Sequence, residues 1–128
     1  MRLTAGLLGL TAGLAGAAVA DDARPPLLCG GVEPHWSFEI TGDRALFTSP
    51  ETADISYALR DERAARGRDW PVALTFIAPQ DTAIALIRRS ACSDTMSDAL
   101  FDWTIDILTQ RNQEPVLLTG CCRTRPAD

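Results

Sequence analysis

W-S-F-E-I-T-G-D-R-A-L-F-T, residues 36–48, is the stretch that decides the fold. Trp36, Phe38 and Ile40 alternate with Ser37, Glu39 and Thr41, which is the period of a strand that buries one face. Gly42-Asp43 supplies the residue types of a tight hairpin turn, and Arg44 to Thr48 resumes as a second strand.

Toward the C-terminus, further short candidates recur at similar spacing: Ile55 to Leu59, Val72 to Ala78, Ala83 to Arg88, Phe101 to Leu108, and Val116 to Cys122. Turn residues bound each of them. Roughly five to eight short strands with no long helical pattern indicate an all-β domain, a small antiparallel barrel or a sandwich. The stretch R-D-E-R-A-A-R-G-R-D, residues 60–69, reads as a charged excursion between two strands, because Gly67 interrupts any helix there. Its arginines at 60, 63, 66 and 68 are diluted by Asp61, Glu62 and Asp69, so a solvated loop accounts for them.

Toward the N-terminus, Pro25, Pro26, Gly30, Gly31 and Pro34 make residues 21–35 an irregular lead-in. Residues 1–20 have the layout of a secretory signal: Arg2, an apolar run from Leu3 to Leu14, and Ala18-Val19-Ala20 as a small-x-small cleavage site. The run is rich in Gly and Ala and is followed by Asp21-Asp22, not by the basic flank of a resident span. No stable membrane span is expected after cleavage. The first cysteine, Cys29, lies too far from the cleavage site for lipidation, and a twin-arginine signal is missing. The expected organisation is therefore a signal peptide (1–20), a lead-in (21–35), one β domain (36–123) and a tail (124–128), in a soluble periplasmic or secreted protein.

Cleavage takes 20 of the 128 residues and leaves 108, enough for one domain. The formal charge of −5 becomes −6 with the loss of Arg2, which argues against nucleic acid as a partner. Four cysteines, Cys29, Cys92, Cys121 and Cys122, all fall in the mature part, and an even number in an exported chain points to two disulfides. A bridge between neighbours needs a strained eight-membered ring, so Cys29 and Cys92 each take one of the adjacent pair, in either order.

Three segments differ from generic strand and loop: G-V-E-P-H-W-S at 31–37, C-S-D-T-M-S-D at 92–98 and G-C-C-R at 120–123. On these motifs the chain resembles an uncharacterised family of bacterial exported proteins and lipoproteins, with a C-G-x-x-E-P-F-W-S-like start, a central C-x-D-x-M-S-D and a G-C-C-R-like end. The likeness runs from Cys29 to Arg123 and implies no activity. Where the family has an aromatic residue before the tryptophan, this chain has His35, its only histidine. A position that interchanges with Phe is a poor choice for a shared base or metal ligand.

Glu33 and Trp36 could line a pocket at a barrel mouth; equally, Trp36 could plug the core while Glu33 accepts backbone hydrogen bonds. Ser93, Asp94, Ser97 and Asp98 suit a loop tightened by side-chain bonds to nearby N–H groups. A calcium site would use the same oxygens with Asp102, but the spacing is not that of an EF-hand loop. Asp102 and Asp106 share a solvated strand face roughly 13 Å apart, too far for a glycosidase pair. Cys121 and Cys122 could act as a vicinal dithiol, but neighbouring strand residues point to opposite faces, which suits two structural bridges. Arg123 would then lie just beyond the bridges, available to pair with an acid such as Asp94 or Asp98.

No nucleophile, base and acid come together in this pattern, so no catalytic residue and no cofactor or metal is assigned. The leading expectation is a non-enzymatic envelope protein that binds an envelope protein or a small ligand through Glu33, Trp36, Asp94, Ser97, Asp98 and Arg123. A redox or soft-metal protein using Cys121, Cys122, Met96 and His35 is the alternative. Small lysozyme inhibitors are similar in size and predicted strand content, a resemblance of fold type only.

Overall fold

Apolar residues recur at every second position along most of the chain, and a single sheet with one apolar face must curl until that face is enclosed. In the structure, a computed structural model that describes residues 24–110 and 114–125, this produces a closed eight-stranded antiparallel barrel. The strands are β1 (Leu27–Val32), β2 (His35–Thr41), β3 (Arg44–Ser49), β4 (Thr52–Ala64), β5 (Val72–Ala78), β6 (Asp81–Ser93), β7 (Leu100–Thr109) and β8 (Val116–Thr124). Each pairs with its neighbour in sequence, and β8 returns to β1 with Leu27 opposite Thr124 and Gly30 opposite Cys121. The all-β expectation holds, and the architecture is a barrel with no open sheet edge. The expected signal segment lies outside the described residues, as do residues 126–128 of the tail.

The opening hairpin forms as its sequence indicates. Thr41 pairs with Arg44 across Gly42-Asp43, and Gly42 takes φ +59°, the positive value that a type II′ turn requires at its first central residue. Trp36, Phe38 and Ile40 are buried. Phe38 meets Tyr57 and Phe76 at centroid separations of 5.9 and 5.4 Å, and together these rings fill the middle of the barrel. The Tyr57 hydroxyl donates to Asp81 Oδ2, while Oδ1 of the same carboxylate accepts from the Gln110 backbone N–H at 3.1 Å.

Two boundaries differ from expectation. Leu27–Val32, within the segment expected to be irregular, is strand β1, hydrogen-bonded to β2 on one side and β8 on the other. Its glycines are there for space. A Cβ on Gly31 would lie 2.4 Å from Nε1 of Trp36, and one on Gly120 would lie 2.2 Å from the Gly30 carbonyl oxygen and 3.0 Å from Cζ2 of Trp36. The indole therefore occupies room that only glycine leaves. The charged excursion is also shorter than expected. Past a bulge between Leu59 and Asp61, β4 continues to Ala64 against the start of β5, so the connection spans only residues 65–71. Exposed charged side chains do not prevent strand formation where the partner strand supplies the hydrogen bonds.

Candidate functional site

In a meander, alternate turns fall at opposite ends of the barrel, and the long β6 carries its last residues beyond the wall. A register shift between Arg89 and Cys92 bends that end outward. Strands two apart in a sheet are separated by about 9.5 Å, yet Cys92 on β6 and Cys121 on β8 have Cα atoms 5.6 Å apart and are joined by a disulfide. The end of the β6–β7 hairpin, still paired through Cys92 with Phe101 and Ser93 with Leu100, thus bends toward β8, and Asp94 comes beside Gly30, Gly31 and Cys121. The next residue, Cys122, points inward and is joined to Cys29 within the core. The open question of pairing is answered by this alternation: Cys29 takes Cys122 and Cys92 takes Cys121. No cysteine is free, so the vicinal-dithiol reading has no thiol to act through.

The outer bridge is flanked by two grooves. One, of about 270 Å³, runs between Glu33 and Val32 on one bank and Cys92, Ser93 and Asp94 on the other. The second, of about 310 Å³, lies between His35 and Ser37 and the Phe101 and Arg123 side. Gly30, Gly31, Val32, Asp94 and Cys121 line both. Segments far apart in sequence, all three motif segments, thus meet around one disulfide.

Asp94 orders the loop beside both grooves. Its Oδ1 accepts from the backbone N–H of Met96 at 2.9 Å and of Ser97 at 3.0 Å, and from the Ser97 hydroxyl at 3.3 Å. The two N–H donors hold its carboxyl below the ordinary carboxylate value. Ser93 and Ser97 hydroxyls accept from the N–H groups of Thr95 and Ala99 at 3.1 and 3.2 Å, and Thr95 sits at φ +63°. These bonds all remain within residues 93–99, so it is the Cys92–Cys121 bridge that ties the loop to β8.

The expected site residues divide. Glu33, Asp94 and Arg123 line the grooves. Ser97 and Asp94 hold the loop together, as their residue types indicated, and Asp98 is exposed beside them. Trp36 is 2% exposed and its indole packs in the core, the second of the two readings given for it, while the residue also borders the second groove. The ion pairs among the described residues are Arg24 with Glu62, Arg63 with Asp61, and Arg125 with Glu39, and Arg123 joins none of them. Asp102 and Asp106 are exposed on β7, and Asp106 accepts a hydrogen bond of 2.6 Å from the Thr119 hydroxyl.

No protein-family model, curated protein or solved structure matches the chain. The site must therefore be read from its own chemistry. His35 is exposed on β2, lines the second groove, and its side chain makes no hydrogen bond among the described residues. Among those residues, no three His, Cys, Asp or Glu side chains converge as a metal centre would need, and no helix is long and apolar enough to cross a membrane.

A feature that sequence reasoning missed lies elsewhere. Trp70, Trp103, Arg89 and Asp102, with Arg24, enclose a cleft of about 420 Å³ at one mouth of the barrel. Read singly, each is an ordinary strand or turn residue, and only closure of the barrel brings them together.

Proposed function

We propose that this chain is a non-enzymatic binding protein of the cell envelope, one of the exported family whose motifs it resembles, and that it engages a partner along the grooves beside Cys92–Cys121. The observation that carries the reading is the convergence of the three motif segments on one outer disulfide, with Glu33, Asp94 and Arg123 exposed around it. Small barrels bind through loops and outer surfaces fixed by a rigid scaffold, and here the disulfide supplies the rigidity that a lone surface loop lacks. The carboxylates on the Glu33 side suit a basic group on the partner, and Arg123 suits an acidic one. Two disulfides support export to an oxidising compartment, and the periplasm is the location proposed.

The test uses Glu33→Ala with Arg123→Ala, since neither side chain makes a hydrogen bond or ion pair among the described residues. The reading requires that a partner cross-linked by the wild-type protein in envelope extracts be lost with the double variant while the melting temperature stays unchanged. Equal capture by both proteins would remove the grooves from consideration.

A further inference from the structure

We propose that the outer wall of β5 to β8 is the face through which two copies of this chain pair as a two-fold symmetric dimer. Strand alternation turns one apolar row outward here: Ile84 on β6 stands opposite Leu108 on β7, and Leu108 opposite Leu117 on β8. These three are 38%, 45% and 70% exposed, and Leu86, two residues further along β6, is 41% exposed. Single exposed apolar residues are ordinary, but four that adjoin across three paired strands form a patch. The outward residues of β5 beside them, Ala73, Thr75 and Ile77, carry no charge. Pairing runs in unbroken register from Val72 to Ala78 on β5 and from Val116 to Cys122 on β8, so the wall is regular where the patch lies.

Charge and symmetry select the occupant. The chain has a formal net charge of −5, so two copies repel wherever acidic surface meets acidic surface. Between Thr82 and Arg88 on β6 and between Thr104 and Leu108 on β7, the outward charges are Arg88 and Asp106, one of each sign, and Asp106 accepts a 2.6 Å hydrogen bond from the Thr119 hydroxyl. Closure of the barrel leaves no strand edge to pair, so a second copy must meet a wall. A two-fold axis along the row of Ile84, Leu108 and Leu117 sets each apolar side chain against its own counterpart and carries the two Asp106 carboxylates to opposite sides. Four strands ~4.8 Å apart and the seven residues of β5 at ~3.3 Å each make a wall of about 19 by 23 Å. That footprint is at the small end of specific interfaces, which gives a reversible dimer of roughly micromolar strength. The face adjoins the first groove at Thr119 but leaves Glu33 and Arg123 outside it, so the dimer and the partner proposed for the grooves stand or fall separately.

The test is sedimentation equilibrium of the full exported protein, disulfides intact, from about 1 μM to about 1 mM. A monomer–dimer equilibrium with a Kd of about 1–100 μM is expected. Leu117→Asp places a carboxylate at a position that is 70% exposed and contributes little to the core, and an isologous contact repeats the change on both copies, so the Kd should rise about hundredfold or more. Leu108→Asp should act in the same way; should it fail to fold, Leu117→Asp still decides the matter. Leu46→Asp is the control: Leu46 is 39% exposed but stands on β3 between Glu39 and Ser56, away from the patch, and the variant should dimerise as wild type does. Added salt should hold or tighten the dimer, since it screens the repulsion between two acidic copies and the centre of the contact has no ion pair to weaken. A monomer throughout the concentration range would overturn the proposal. So would Leu117→Asp dimerising as wild type, the control dissociating as the patch variants do, or a dimer that salt disperses.

Discussion

Replacing Gly31 by alanine tests whether the glycines of the β1–β8 seam are there to house an indole. The added Cβ would fall 2.4 Å from Nε1 and 2.8 Å from Cε2 of Trp36, inside any real contact distance, and 3.2 Å from the Thr119 carbonyl oxygen. Trp36 is 2% exposed and stacks at 6.3 Å from Phe47, so its ring cannot swing away without disturbing the core. Overpacking of this kind costs about 1–3 kcal/mol, and a rigid ring against a paired strand puts Gly31→Ala toward the upper end. In a domain of this size each kcal/mol lowers the melting temperature by roughly 4–8 °C. Trp36→Leu removes the obstructing atoms at its own cost in burial, and on that background the alanine should cost less than about 1 kcal/mol. Urea unfolding of the four proteins of the cycle gives the coupling. If Gly31→Ala is equally destabilising with and without the indole, the clash with Trp36 is not the cause, and the Thr119 carbonyl at 3.2 Å is the contact that remains.

Other outcomes follow from the same geometry. Serine at Cys92 and Cys121 should leave the barrel folded but expose residues 93–99 to protease. Serine at Cys29 and Cys122 opens a loop with a sequence separation of 93 against 29 for the outer bridge, and should lower stability further, by about 1 kcal/mol on loop-closure grounds. Tyr57→Phe removes a hydroxyl that donates to the Asp81 carboxylate, and chemical denaturation should register a loss of about 1.5–3 kcal/mol. Asp94 has a folded-state value lowered from an ordinary 3.8, so its contribution is present above that value and is lost as pH falls through the lowered one. Protection of the Met96 and Ser97 N–H groups, taken as exchange relative to the intrinsic rate at each pH, should therefore fall in strong acid, and in Asp94→Asn this fall should be absent.

The β2–β3 hairpin was legible because strict alternation met a glycine placed for positive φ, two local signals that agree. The partners of Cys121 and Cys122 were legible as a set, since adjacent strand residues face opposite sides, but their order depends on which face of β8 looks inward. Strand β1 was hidden because Gly30 and Gly31 read as breakers, whereas their purpose is a tertiary contact with Trp36 that no local pattern reveals. For the candidate site, the bonds of Asp94 follow from residue type and short range. The burial of Trp36 and the lack of an ion pair at Arg123 depend on the shape of the closed wall. The Trp70, Arg89, Asp102 and Trp103 cleft draws on three strands or connections, and its composition emerges only on closure.

The most direct test of the account is disulfide mapping of non-reduced protein isolated from the envelope, with fragmentation between Cys121 and Cys122. The account predicts a chain beginning at Asp21, no alkylatable thiol, and linkage of Cys29 to Cys122 and Cys92 to Cys121. Free thiols, or Cys29 linked to Cys121, would contradict both the inward and outward faces of β8 and the groove built on the outer bridge.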